Sequence, residues 1–162
     1  MTHNLPQIPP RPPGDDVRGF LPDHEGQQLF EWARQVSPIG PLLEIGSYCG
    51  RSTIWLGQAA KAYDTVVCAL DHHRGSEEHQ PGESHHDEAL VDTTGRFDSF
   101  GEFRRNIAAA GLEDTVIPIV ASSETVGLHW QGGLGMVFVD GGHSLDAALA
   151  DYRTWAPHVL PG

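Results

Sequence analysis

Short apolar runs alternate along this chain with stretches in which apolar residues recur every three or four positions, the spacing of one helix face. Asp23, following Pro22, is the expected N-cap of a first helix that carries Leu29, Trp32, Ala33 and Val36 on one side and stops at Ser37-Pro38. Strands are predicted over 42–46, 65–70, 116–120 and 136–139. Between them, helices are predicted from Ser52 to about residue 62, from Ser99 with Phe100, Phe103 and Ile107 inward and Gly111 as stop, and from Ser144 to Pro157. The last of these is expected to bury Leu145, Ala148, Leu149, Tyr152 and Trp155, and Trp32, Trp55 and Trp155 are all expected in the core. Strand, helix, strand in succession implies parallel pairing and a doubly wound (Rossmann-like) α/β sheet. Pro118 cannot donate to a ladder, which puts the third strand at a sheet edge and favours the order 3-2-1-4.

The first strand runs into a glycine-punctuated loop, Glu44-Ile45-Gly46-Ser47-Tyr48-Cys49-Gly50-Arg51-Ser52-Thr53, that leads into a helix. Gly46 and Gly50 allow close backbone approach, and Ser52 or Thr53 is the expected cap of a helix whose free N–H groups favour an anion. A carboxylate at Glu44 repels a pyrophosphate and attracts an amino group. A ligand bearing both ammonium and carboxylate, as in the methionine half of S-adenosylmethionine, therefore fits better than a dinucleotide, and the spacing is not G-x-G-x-x-G. Asp71, ending the second strand, can accept two hydrogen bonds from a ribose diol.

Composition narrows the classes. The chain has 162 residues, enough for one α/β domain over 20–162 preceded by a proline-rich arm over 1–19 expected to be flexible, with a histidine-rich insertion over 71–98. The formal charge of −12 disfavours nucleic acid and anionic membranes as partners, and neither an apolar run of bilayer length nor a secretory signal is expected. Cys49 and Cys68 offer no disulfide framework, which fits a reducing cytoplasm.

From Phe20 to its end the chain resembles class I S-adenosylmethionine-dependent methyltransferases, especially small-molecule O-methyltransferases of the catechol and caffeoyl-thioester type. The residues that carry the resemblance are Pro22-Asp23-His24-Glu25-Gly26, Glu44-Ile45-Gly46 through Gly50-Arg51-Ser52-Thr53, Asp71, Asn106 with Ala110-Gly111-Leu112-Glu113-Asp114, and Val137-Phe138-Val139-Asp140. The resemblance implies that Glu44, Gly46 and Ser52 hold the methionine part, that Asp71 takes the ribose and that Ser122 or Ser123 lies near the adenine. Ser47, Tyr48, Gly50, Thr53 and His72 complete the expected cofactor contacts.

Asp140-Gly141-Gly142-His143 ends the fourth strand on the same sheet edge as the cofactor loop. Methyl transfer to a hydroxyl needs an in-line approach and a base of near-neutral pKa, for which His143 is the natural choice. The resemblance makes Asp140 a ligand for a divalent metal ion such as Mg or Zn. The chain stops where family members continue into three more strands, so the sheet is expected to lack them, and the fourth-strand edge invites homo-oligomer formation. His72, His73, His79, His85 and His86 with Glu77, Glu78, Glu83 and Asp87 make the insertion either a metal-binding segment or a solvated loop, and Arg74 either a substrate contact or a surface residue. Trp130, beside His129, is expected to support packing. Two further readings remain open: a module that binds the cofactor without turnover, and a nucleotide-dependent oxidoreductase.

Overall fold

A computed structural model describes residues 10–76, 79, 82, 87–142 and 144–161. Four parallel strands, β1 (Leu42–Ile45), β2 (Val67–Leu70), β3 (Val116–Ile119) and β4 (Met136–Val139), form one sheet in the order β3-β2-β1-β4. Leu42 pairs with Val67 on one side and Met136 on the other, and Pro118 stands opposite Ala69 on the outer strand, where its missing N–H costs no ladder bond.

The strand period of two splits β1 between two layers. Leu42 faces a core shared with helices α1 (Asp23–Val36), α2 (Arg51–Lys61) and α3 (Phe100–Ala109), through Leu29, Trp55, Phe103 and Ile107. Leu43 and Ile45 face the opposite layer, where Trp155 of α5 (Leu145–Trp155) packs with Leu134 and Val126. Val126 lies in α4 (Ser123–Gly127), a short helix that the hydrophobic pattern did not announce.

Several local expectations shift. Pro22 occupies the N-cap of α1, and Asp23 falls in its first turn, where its charge suits the helix dipole. The N-cap of α2 is Gly50 in the left-handed region, φ 92°, so Ser52 and Thr53 sit inside the helix and their hydroxyls are free to do something other than capping. Trp55 and Trp155 are buried as expected, but Trp32 is 54% exposed because α1 turns Phe30 inward instead. The apolar stripe expected to be buried on α5 faces outward: Leu145 is 74% and Tyr152 66% exposed, and the inward positions are Ala147, Asp151, Thr154 and Trp155.

The arm expected to be flexible is, over its described part, fastened to α2. Arg11 and Gln58 exchange two 2.7 Å hydrogen bonds, Val17 is buried, and the Arg51 guanidinium donates to the carbonyls of Val17 and Leu21 and pairs with Asp23 at 2.8 Å. A similar fastening holds part of the insertion. Arg74 pairs with Asp92 at 2.9 Å and Asp98 at 3.3 Å, while Leu90 and Phe97 pack beneath Cys49, so Arg74 serves the chain's own acids.

Candidate functional site

Because the strands are parallel, their carboxyl ends and the loops that follow gather on one side, where this fold leaves a crevice. A cleft of about 690 Å³ opens there. Its floor is the β1–α2 loop, with Gly46, Ser47, Tyr48 and Ser52. Asp71 and His72 come from the end of β2, Asp140 from the end of β4, Arg18 from the arm, and Phe20 and Leu21 from the segment leading into α1.

The floor is held in a tight conformation. Gly46 has φ 86°, and a Cβ there would lie 2.3 Å from the Asp140 carbonyl oxygen, so only glycine lets the β4 loop cross this close. Tyr48 is also left-handed, at φ 47°. Its N–H donates to Asp71 Oδ2 at 2.8 Å, and the N–H of His73, left-handed at φ 56°, donates to Asp71 Oδ1 at 2.7 Å. Asn106 Nδ2 donates to the Cys49 carbonyl at 2.8 Å and closes the loop from below. Asp71 thus ties two strained turns together, and its carboxylate, with about four lone-pair sites, keeps acceptor capacity toward the cleft.

Glu44 does not line the cleft. Since it alternates with Leu43 and Ile45, its side chain points toward α2, fully buried, and accepts hydrogen bonds from Ser52 Oγ at 2.5 Å and from Thr53 Oγ1. The direct ammonium contact expected of it is therefore replaced by support of the loop from behind. Burial pushes the Glu44 carboxyl up to about 7, against the opposing pull of the Ser52 and Thr53 hydroxyls. Ser47 has the opposite deficit. Its hydroxyl is buried and lines the cleft, close enough to the Glu44 carboxyl to help draw its pKa down, yet meets no partner with full hydrogen-bond geometry among the described residues.

Of the remaining expected contacts, His72 and Ser123 line the cleft, whereas Gly50, Thr53 and Ser122 do not. Gly50 and Thr53 shape α2, and Ser122 caps α4 by accepting from Thr125 N–H. His143 lies outside the described residues, as do Glu77, Glu78, Glu83, His85 and His86. His73 is buried against Phe100 and Phe103, with Nδ1 2.9 Å from Ser99 Oγ, and desolvation lowers its pKa. The thiols of Cys49 and Cys68 are buried and their pKa values raised by desolvation, which makes both poor nucleophiles.

Sequence reasoning missed Asp151, which lines the cleft from α5 and accepts from Ser123 Oγ at 2.5 Å, while Ser123 accepts from Trp155 Nε1 at 2.8 Å. The available signal was its position one turn before the buried Trp155, on the same helix face. It also missed an aromatic wall: Tyr48 stacks between Phe20 and Phe97, with ring centroids 6.2 and 6.3 Å away. Among the described residues no three His, Cys, Asp or Glu side chains converge as a metal site.

A doubly wound sheet with its crevice at the strand ends, a glycine crossing under the fourth strand and an acid ending the second define an open α/β ligand-binding domain. The methyltransferase-domain family model matches residues 43–162, and the chain belongs to that family. Three solved structures share the fold. The O-methyltransferase TomG from Streptomyces achromogenes, in complex with SAM, superposes with a TM-score of 0.61 at 21% identity, covering 91% of this chain and 55% of that one. An O-methyltransferase from Bacillus cereus in complex with SAH gives 0.61 at 20% identity, covering 91% and 57%. A SAH-bound methyltransferase from Podospora anserina gives 0.62 at 18% identity, covering 86% and 48%. The chain thus spans about half the length of these structures. Among the described residues no helix is long and apolar enough to cross a membrane.

Proposed function

We propose that the cleft binds S-adenosylmethionine and that the domain transfers its methyl group to a hydroxyl of a small acceptor. The observation that carries this reading is the floor of the cleft, where Gly46 leaves no room for a Cβ and the loop of Ser47 and Tyr48 lies beside the acid that ends β2. Ser47 and the backbone of the β1–α2 loop would hold the amino-acid end, and Asp71 the ribose hydroxyls. His72 and Ser123 flank the nucleoside, and Glu44 fixes the loop by holding Ser52 and Thr53. When bound, the cofactor supplies an electrophilic methyl group on a sulfonium.

The chain's part in the transfer is to align and to take a proton. Asp140, at the cleft rim, positions the acceptor, and His143, the residue after the cleft-lining Gly142, is our candidate for the base. The buried Glu44 is walled off from any acceptor and cannot serve as that base. Among the described residues no three His, Cys, Asp or Glu side chains converge at Asp140, and no step is assigned to a metal. We place the protein in the cytoplasm, where the buried thiols of Cys49 and Cys68 stay reduced. Exposed Val139, Leu145 and Tyr152 beside the edge strand β4 support association of two copies there, to be read by sedimentation velocity.

Calorimetric titrations with S-adenosylhomocysteine and NAD, side by side, test the cofactor assignment. Binding of the first and silence of the second is expected, and the reverse would make the domain a nucleotide-dependent oxidoreductase. Labelled-methyl transfer over a panel of hydroxyl acceptors then separates an enzyme from a module that binds without turnover.

A further inference from the structure

Glu44 is fully buried behind the cleft floor, and two of the three hydroxyls around it line the cleft. Both of its carboxyl oxygens are engaged from α2: Ser52 Oγ lies 2.5 Å from Oε1, and Thr53 Oγ1 meets Oε2. Ser47 Oγ lies close by in the β1–α2 loop. Thr53 is walled off, whereas Ser47 and Ser52 border the cleft, so Ser52 touches the carboxyl on one side and the ligand space on the other. Gly50 caps α2 without a side-chain bond, and the free N–H groups of the helix's first turn favour a carboxylate at the same floor.

A hydroxyl has one proton to give. When Glu44 is ionised, both of its oxygens accept, the Ser52 proton is directed at Oε1, and the Ser52 oxygen offers only lone pairs to the cleft. When Glu44 is protonated, it donates to Ser52, and the Ser52 proton turns toward the cleft, where a carboxylate accepts it. The charges work the same way. A carboxylate bound on Ser52 stands about 5 Å from Glu44, two hydrogen bonds in series, and two negative charges so close disfavour each other.

The other charged groups around Glu44 leave this balance in place. The neighbouring strands carry no charge themselves and end in Asp71 and Asp140, of which Asp71 accepts from the Tyr48 and His73 N–H groups and Asp140 raises the Glu44 pKa. From α2, Arg51 is turned to Asp23 and to the carbonyls of Val17 and Leu21, and Lys61, at the far end, donates to the Gly111 carbonyl. From α1, Glu25 lines the cleft.

We propose that Glu44 is a positioning residue whose proton decides whether Ser52 donates into the cleft, and that the cofactor's carboxylate binds on Ser52 with Glu44 protonated, so that binding takes up a proton. This rests on the S-adenosylmethionine reading. Silence of S-adenosylhomocysteine at every pH ends that reading, whereas binding without the linked proton ends only this inference.

The test is calorimetry of S-adenosylhomocysteine with the parent, Glu44→Gln and Ser52→Ala, from about pH 6.5 to about pH 8.5, in buffers of different ionisation enthalpy that count the protons taken up. The Glu44 carboxyl sits at about 7 in the free protein. If the complex holds it about one unit higher, the parent's affinity should fall at least about fivefold over this range, with uptake of about half a proton midway. The amide introduced by Glu44→Gln keeps a donor and an acceptor but cannot ionise, so the ratio of its affinity to the parent's should grow at least about fivefold from the acid to the alkaline end. Other titrating groups, the ligand's amino group included, cancel in that ratio. Ser52→Ala removes the hydroxyl between the two carboxyls and should bind more weakly at the acid end, with at most about half of the parent's proton uptake. Parallel profiles for the parent and Glu44→Gln, which a merely structural Glu44 would give, overturn the proposal. Proton release on binding does so too, because it would put the ammonium on Ser52 instead of the carboxylate. Should Glu44→Gln fail to fold, a Ser52→Ala profile as steep as the parent's overturns it.

Discussion

Helices α2 and α5 are each 11 residues long and each carry an apolar stripe, yet they meet opposite fates. The first is clasped between α1 and the sheet and buries Ile54, Trp55, Leu56, Ala59 and Ala60, together with the polar Ser52 and Thr53. The second lies beside edge strand β4, buries Trp155 alone, and leaves Leu145, Leu149 and Tyr152 exposed. The strands follow the same gradient: β1 and β2 are buried at every position, while β4 is half-buried and ends exposed at Val139. A stripe shows which residues are able to form a buried face. Burial itself requires an element standing opposite, and the described part of the chain supplies one for α2 and not for the outer side of α5.

This contrast makes Trp155 the critical anchor of the weaker half. It is fully buried, packs edge-on against Trp130 at 5.3 Å and donates to Ser123, so one side chain holds α5, α4 and the β4 approach together. Trp155→Ala should cost about 3–5 kcal/mol, read as a fall in the urea midpoint. A loss under about 1 kcal/mol would show that α5 is held by something else.

The strong half should reveal itself through pH. Below about 4.5, Glu44 is protonated both folded and unfolded; between 4.5 and about 7 the folded protein keeps a proton that the unfolded chain has released. Stability therefore falls as pH rises through that window. The amide introduced by Glu44→Gln cannot ionise, so the variant's stability relative to the parent should rise by about 2–3 kcal/mol from acid to neutral pH. Because other titrating groups cancel in the difference, parallel urea-derived curves would mean that burial does not shift this carboxyl.

Much of the fold was legible in the chain because it follows from local rules. Alternating strands and helices implied parallel pairing, and Pro118 placed β3 at an edge, as found. The site was legible only in part. Asp71 and the Gly46 loop lie in the cleft, but Glu44 faces α2, a direction already contained in its alternation with Leu43 and Ile45. Asp151 was hidden because the stripe of Leu145, Ala148, Leu149 and Tyr152 pulled the expected inner face of α5 to its far side. The docking of the arm depends on Arg51 reaching residues 28 to 34 positions away, and no periodicity records such a bond.

Asp71 tests whether the ordered half is also the ligand-holding half. Asp71→Ala removes the acceptor of the Tyr48 and His73 N–H groups as well as the proposed ribose contact. Calorimetry with S-adenosylhomocysteine should show affinity weakened by about 1–3 kcal/mol. Unchanged affinity would take Asp71 out of the site.

The smallest effect belongs to the outer face of α5. Leu145 opens that helix just after the Ser144 cap and is 74% exposed, and glutamine has nearly the helix propensity of leucine. Leu145→Gln should therefore change stability by no more than about 0.5 kcal/mol at low protein concentration, where association is weakest. A larger loss that disappears on dilution would mean that a second copy covers the stripe, and the difference between the helices would then belong to the monomer alone. A larger loss independent of concentration would mean that the chain itself buries Leu145, and the contrast between α2 and α5 would fail at its weakest point.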